Sequence, residues 1–141
     1  MSATTTALGR VAVLNRDLMF GVKIANTLRG IGYAVDLVPT TPAFAALLRA
    51  EPSPVLGILD MGARPDWEEI GALTANPALA PILAFGPHVD VAARRAAKAA
   101  GVARLLSNGD FHRDMVALVA RYARSVERQP ITDPAGDPAA Q

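Results

Sequence analysis

The sequence predicts an α/β fold in which a doubly wound, five-stranded parallel sheet carries helices on both faces. Short apolar segments alternate along the chain with longer segments of helical periodicity. The strand segments are apolar throughout, a pattern typical of strands that are buried on both faces of a parallel sheet. Right-handed crossovers between such strands place the helices in layers on either side. The expected architecture is therefore a three-layer sandwich.

The first half of the chain predicts three strands and two helices. Residues 10–15 form an apolar strand that ends at a polar triplet, and residues 20–30 show helical periodicity up to a pair of glycines. Residues 33–38 form the second strand. Thr and Pro at the start of 41–50 are expected to supply the N-cap and first residue of a helix. Residues 54–60 form the third strand, which ends on a carboxylate.

The second half continues the alternation with two strands and three helices. Asp residues are expected to cap helices over 66–76, 90–101 and 110–126. The strands between them cover 81–85 and 103–106. The last helix carries its apolar residues at intervals of three and four, which predicts a side packed on the sheet.

One domain accounts for most of the chain. It is expected over residues 9–128, after a flexible N-terminus at 1–8 and before a disordered tail at 129–141 that contains three Pro, two Asp and no apolar periodicity. A chain of 141 residues with 51% hydrophobic residues suits such a domain. We expect a cytoplasmic location, because neither an export signal nor a membrane-spanning segment is visible.

Composition excludes several kinds of site. Cysteine is absent, which excludes a disulfide scaffold, a zinc-cysteine site, an iron–sulfur cluster and a thiol nucleophile. The 14 Lys plus Arg are balanced by 13 Asp plus Glu, so the net charge is +1. Without a visible cluster of basic residues, this balance gives no electrostatic footprint for nucleic acid.

Polar residues follow the predicted strands at the edge where doubly wound folds bind their ligands. The residues at these strand ends are Asn15, Arg16, Asp17, Asp60, Gly86 and Asn108. Asp60 is the one carboxylate that ends a strand. The strand ends are therefore the first place to look for chemistry.

These features resemble the response-regulator receiver family of the chemotaxis type, over roughly residues 9–127. The resemblance depends on the order of elements, on Gly32 and Gly101 closing helices one and four, and on Asp60 at the end of strand three. It implies a flavodoxin-like fold with strand order 2-1-3-4-5. It also implies that Asp60 occupies the position that accepts a phosphoryl group from a histidine kinase in two-component signalling.

Four other functional positions of the family are altered in this chain. The resemblance implies an acidic pair that binds Mg²⁺ after strand one, a Thr or Ser after strand four, and a Lys after strand five. The residues at these altered positions are Asn15, Arg16, Gly86 and Asn108. Asp17 follows the altered pair one residue too late, at the start of helix one. Of the family's phosphorylation apparatus only Asp60 remains.

We therefore expect a degenerate member, a stand-alone pseudo-receiver that is not an enzyme and uses neither a metal nor a cofactor. Asp60 is expected to be inactive, with its charge compensated by the guanidinium of Arg16. The expected partners are proteins, such as a signalling kinase or regulator, and not nucleic acid or a membrane. His112, in the first turn of the last helix, is expected to be solvated.

Two surfaces are candidates for binding a protein partner. Helix one carries a second apolar set, Leu18, Val22 and Ala25, on the side away from its core stripe. The face of helix four, strand five and helix five, which receivers commonly use to pair, offers Ala92, Ala96, Leu105 and Val116. A homodimer through this second face is one expected mode of association.

Two alternatives remain open at this point. One is a true phosphoacceptor in which Asp60 and Asp17 hold an altered metal site. The other is a sensor of an anion or small ligand at the strand ends, near Arg16, Arg64, His88 and Asn108.

Overall fold

The computed structural model describes residues 8–125, in which five strands alternate with five helices. The strands are β1 Arg10–Leu14, β2 Ala34–Val38, β3 Leu56–Asp60, β4 Ile82–Gly86 and β5 Arg104–Ser107. The helices are α1 Leu18–Gly30, α2 Thr41–Arg49, α3 Trp67–Thr74, α4 Val91–Ala99 and α5 Asn108–Tyr122. One turn of 3-10 helix follows β3 at Met61–Ala63. Three parts of the predicted chain lie outside the described residues: the first seven residues, Val126 of the last helix, and the expected tail.

All the strands run parallel, in the order β2-β1-β3-β4-β5. This confirms the doubly wound α/β fold and the strand order that the resemblance implied. In the register Leu14 pairs with Leu59, and Asp60 pairs with Phe85. One further step of the β1–β3 register brings Asn15 beside Asp60. The topology thus places the strand ends after β1, β3 and β4 next to one another.

Two hydrophobic clusters hold the helices on the sheet. One cluster joins α1 and α5 to one face and contains Val13, Ile58 and Phe85. The other joins α2, α3 and α4 to the opposite face and contains Leu14 and Leu59. Successive residues of a strand point to opposite faces, so each central strand contributes to both clusters. β3 and β4 are buried along their whole length.

The ends of three helices confirm the predicted caps. Asp66 and Asp90 accept hydrogen bonds from the first-turn N–H groups of α3 and α4. The turns after α1 and α4 contain Gly32 and Gly101 with φ of 110° and 87°, in the left-handed region that favours glycine. Within residues 8–125 no helix is long and apolar enough to cross a bilayer.

Two predicted caps are wrong by one and three residues. Thr40, and not Thr41, caps α2, because its Oγ1 accepts a hydrogen bond from Ala43 N at 3.3 Å. The hydroxyl of Thr41 accepts from Asp66 N at 3.0 Å and so connects α2 to the start of α3. Ser107, and not Asp110, caps α5, and its Oγ accepts from Asp110 N. Thr40 and Ser107 both have the extended backbone that a cap requires.

Candidate functional site

Asp60 ends β3 and is 7% exposed. Its two oxygens have different donors. Oδ2 accepts a hydrogen bond from Asn15 Nδ2 at 3.0 Å, and Oδ1 accepts one from the main-chain N–H of Gly62 at 2.8 Å. The second bond makes Asp60 the cap of the 3-10 turn that follows. Both oxygens of the candidate phosphoacceptor are therefore held by neutral groups of the protein.

Burial raises the pKa of the Asp60 carboxyl, because the ionised form loses hydration inside the protein. The hydrogen bonds from Gly62 and Asn15 lower the pKa, and the nearby charge of Asp17 raises it, but burial is the largest effect. The net direction is upward. The donors around Asp60 therefore compensate its negative charge only in part.

Arg16 does not pair with Asp60, so that expectation is wrong. Arg16 is exposed, and none of the ion pairs within residues 8–125 includes it. The chain leaves the sheet after Asn15 because Asp17 caps α1, with Oδ1 accepting from Met19 N at 2.9 Å and from Phe20 N at 3.2 Å. Arg16 lies in the turn between the strand and this cap. The buried neighbour that binds Asp60 is Asn15.

We accordingly expect Arg16→Asp to change the free energy of unfolding by less than about 1 kcal/mol, the range of solvated charges. Urea denaturation at neutral pH measures this. The matched variant is Arg10→Asp, because Arg10 Nη2 lies 2.6 Å from a carboxylate oxygen of Asp36 in a half-buried pair. Arg10→Asp should cost more than Arg16→Asp. A loss of about 3 kcal/mol for Arg16→Asp would mean that Arg16 supports a buried carboxylate after all.

Gly21 on α1 provides the space that Asn15 occupies. A Cβ at this position would lie 2.7 Å from Asn15 Oδ1, so any larger residue would push the amide away from Asp60. Sequence analysis did not single out Gly21. A glycine inside a predicted helix, where it costs about 1 kcal/mol relative to Ala, was the available signal.

Gly86 ends β4 and is packed against Met61. A Cβ on Gly86 would lie 2.6 Å from Cε and 3.1 Å from Cβ of Met61, whose side chain is buried. Met61 follows Asp60 directly, so its apolar side chain takes up the space at the end of β4. A Thr or Ser at position 86, as the resemblance implies for the family, would have to displace it.

We expect Gly86→Ala to destabilise the protein by about 1 to 3 kcal/mol through overpacking. Gly71→Ala is the control, because nothing lies within 4 Å of a Cβ at that helical position. The control should be neutral or stabilising. Urea denaturation of both variants, and of Gly86→Ala combined with Met61→Ala, would measure the coupling. Additive effects of the two substitutions would contradict the contact.

The remaining candidate residues at the strand ends form no side-chain hydrogen bond with one another in the described part of the chain. Asn108 is the first residue of α5 and is half-buried, whereas Arg64 and His88 are exposed. Arg64 ends the 3-10 turn with φ of 56°. No side-chain hydrogen bond among residues 8–125 joins any of these residues to Arg16. The described part of the chain also contains no group of three His, Cys, Asp or Glu that could hold a metal ion.

His112 is not solvated, so this expectation is also wrong. Its ring stacks on Phe20 with 4.5 Å between centroids and meets Phe85 and Phe111 edge-on. Both ring nitrogens are buried and have no partner in the described part of the protein. Burial lowers the pKa of His112, and the charge of Lys23 lowers it further. The ring of His112 is shielded from solvent because the first turn of α5 packs over α1.

The residues of the two candidate interaction surfaces differ in exposure. Leu18 is 81% and Val22 52% exposed, but Ala25 is buried in the core, so it does not belong to the α1 surface. On the other surface Val116 is 46% exposed. Ala92 is exposed, whereas Leu105 and Ala96 are half-buried.

Comparison with known proteins finds similarity of structure only. No family model matches the chain, and no curated protein is similar to it in sequence. Among solved structures, the phosphorylated cyanobacterial phytochrome response regulator RcpA is similar with a TM-score of 0.71 and 13% identity, covering 86% of this chain and 100% of that chain. A putative response regulator from Chloroflexus aurantiacus gives a TM-score of 0.69 and 19% identity, covering 81% and 96%. An orphan response regulator of H. pylori gives 0.68 and 13%, covering 84% and 98%.

Proposed function

We propose that this chain, which has the fold of response-regulator receiver domains, acts by binding a protein partner and that its action does not depend on phosphorylation of Asp60. The observation that carries the proposal is the pair of hydrogen bonds that the protein itself donates to Asp60. Its two oxygens accept hydrogen bonds from Asn15 and Gly62, both neutral and both part of the protein. A phosphoacceptor needs a cation beside it to offset the charge of the incoming phosphoryl group, and neither of these two donors carries a positive charge.

Asn15 opposes a metal at this position. Its Nδ2 donates to Asp60, and its amide oxygen is neutral, whereas the hard cation favours the charged oxygens of a carboxylate. Asp17, the carboxylate of the altered metal site considered above, is engaged as the cap of α1. A phosphoacceptor that used Asp17 would have to give up this cap.

The groups that would stabilise a transferred phosphoryl group are also replaced. Gly86 has no side chain, and the apolar Met61 packs against it. Asn108 carries no positive charge and lies at the first position of α5. Losing such clamps costs several kcal/mol of transition-state stabilisation. In this proposal the chain is therefore not an enzyme and takes no cofactor.

A partner is then recognised by the surface of the domain. The face of α4, β5 and α5 includes Val116 and Leu105 beside several cations, and α1 exposes Leu18 and Val22. A signalling protein or a second copy of this chain would both fit the proposal. Val116→Glu would set an unpaired carboxylate against a docked partner. It should therefore weaken binding at the face of α4, β5 and α5.

Beryllofluoride or acetyl phosphate with Mg²⁺ tests the proposal. We expect no change in the amide resonances of residues 15–17, 60–62 and 86, no change in Trp67 fluorescence, and no gain of phosphate mass. Asp60→Asn serves as the control, because it removes the carboxylate. A Mg²⁺-dependent change in the parent that is absent from Asp60→Asn would support the phosphoacceptor alternative instead.

A further inference from the structure

A basic groove runs between α4 and β5, with a volume of about 550 Å³. The cations that line it are Arg94, Arg95, Lys98 and Arg104, and no Asp or Glu lines it. Val91 and Leu105 are apolar residues of the same groove. The sequence alone indicated no basic cluster, because three of these cations lie on α4 and the fourth lies on β5.

These cations have no acidic partner within residues 8–125. Arg104 Nη1 donates to the neutral hydroxyl of Tyr122 at 3.2 Å. Arg94 Nη1 is buried and donates to no acceptor among the described residues, an arrangement that costs free energy. On α5, by contrast, Arg113 Nη2 lies 2.9 Å from oxygens of both Asp110 and Asp114. Among residues 8–125 the cations of the groove therefore carry a surplus of positive charge.

One wall of the groove is formed by β5, which is an edge strand of the sheet among residues 8–125. β5 pairs with β4 and lies at the end of the strand order. Ala103 N donates to Ile82 O on the β4 side at 2.8 Å. Because main-chain groups alternate along a parallel strand, those of Arg104 and Leu106 face the open edge. An additional strand could pair with them.

We propose that this groove binds an extended acidic segment of a partner protein, which adds to the sheet beside β5. Its carboxylates contact Arg94 and Lys98, and its main chain pairs with Arg104 and Leu106. The apolar residues that alternate with the carboxylates face the other side of the sheet, beside Leu106 and Tyr122. The inference rests on the proposed function, since it states the chemistry of the partner.

Electrostatics favours such a segment over a second copy of this chain. Symmetric pairing brings the same patch of both subunits together. In this groove it would set the three cations of α4 against the same three of the other subunit, and like charges at an interface oppose association. An acidic segment supplies the missing charge.

The test uses a fluorescein-labelled ten-residue peptide of alternating Glu and Val, without Mg²⁺ or any phosphoryl donor. We expect saturable binding by fluorescence anisotropy, with amide shifts confined to α4 and β5. Arg94→Ala with Lys98→Ala should weaken binding at least about tenfold. The matched control, Lys23→Ala with Arg49→Ala, removes the same charge outside the groove and should stay within about twofold. Urea midpoints near that of the parent show that each variant is folded.

Four further results decide the mode of binding. A peptide N-methylated at alternate amides should bind much more weakly, and equal binding would overturn strand addition. An equal loss of peptide affinity in both double variants would show that the effect comes from diffuse charge. Displacement of the peptide by an equal concentration of tripolyphosphate would indicate a site for a small anion. Self-association that the Arg94→Ala, Lys98→Ala variant abolishes would favour a second copy. Each of these four results overturns the acidic segment as the ligand of the groove and leaves the phosphorylation-independent function intact. A Mg²⁺-dependent response to beryllofluoride would instead overturn only the phosphorylation-independent function.

Discussion

Asn15→Asp is expected to destabilise the protein by roughly 2 to 4 kcal/mol at neutral pH. In the native protein Asn15 Nδ2 donates to Asp60 Oδ2 at 3.0 Å, and both side chains are buried. The substitution replaces this donor by a second carboxylate at the same distance. Two carboxylates in one buried site cannot both ionise at low cost.

The loss should depend on pH. The pair can share one proton, so the variant should recover stability as the pH falls and the site takes up that proton. Urea denaturation between pH 7 and pH 5 measures this. Asn26→Asp is the control, because it makes the same chemical change at an exposed position of α1. Equal effects of the two substitutions at pH 7 would contradict the contact between Asn15 and Asp60.

Asp60→Asn is expected to have the opposite effect and to stabilise the protein by about 1 kcal/mol at neutral pH. The change removes a buried charge that neutral donors compensate only in part. Asn keeps the shape of the side chain, and its Oδ1 can still accept from Gly62 N. The amide of Asn15 can turn over to accept from the new Nδ2, since its oxygen and nitrogen have nearly the same size.

The pH dependence follows from the raised pKa of Asp60. A carboxyl group whose pKa is higher in the folded than in the unfolded protein contributes stability that is fully present below its unfolded pKa, about 3.9. This contribution is lost as the pH rises through the folded pKa. The advantage of Asp60→Asn should therefore be largest at neutral pH and shrink towards pH 4.

Urea midpoints of the two proteins between pH 7 and pH 4 provide the measurement. Asp66→Asn is the matched control, because Asp66 is an exposed cap of α3 and Asn caps a helix equally well. Its urea midpoints over the same pH range give the reference profile for a carboxylate at the surface. A parent that is more stable than Asp60→Asn at pH 7 would mean that the ionised Asp60 is favourably compensated.

Much of this protein was determined by sequence patterns that act locally. Apolar segments predicted every strand, and the caps Asp66 and Asp90 follow from the need of first-turn N–H groups for an acceptor. The position of Asp60 at the end of β3 was also predicted. Because parallel strands end at the same edge, this placed Asp60 beside Asn15 and Gly86 in advance. The sequence did not predict what each of these neighbours does beside Asp60.

Tertiary structure decided which neighbours contact Asp60 and which charges share a surface. Arg16 has the stronger charge, but the cap formed by Asp17 turns it into solvent, so the neutral amide of Asn15 binds the carboxylate. Met61 packs against Gly86, and cations from α4 and β5 meet in one groove. Such contacts depend on the direction in which each side chain leaves its element and on the space that distant residues leave open. Sequence periodicity assigns a residue to a face of the fold but does not specify its partner there.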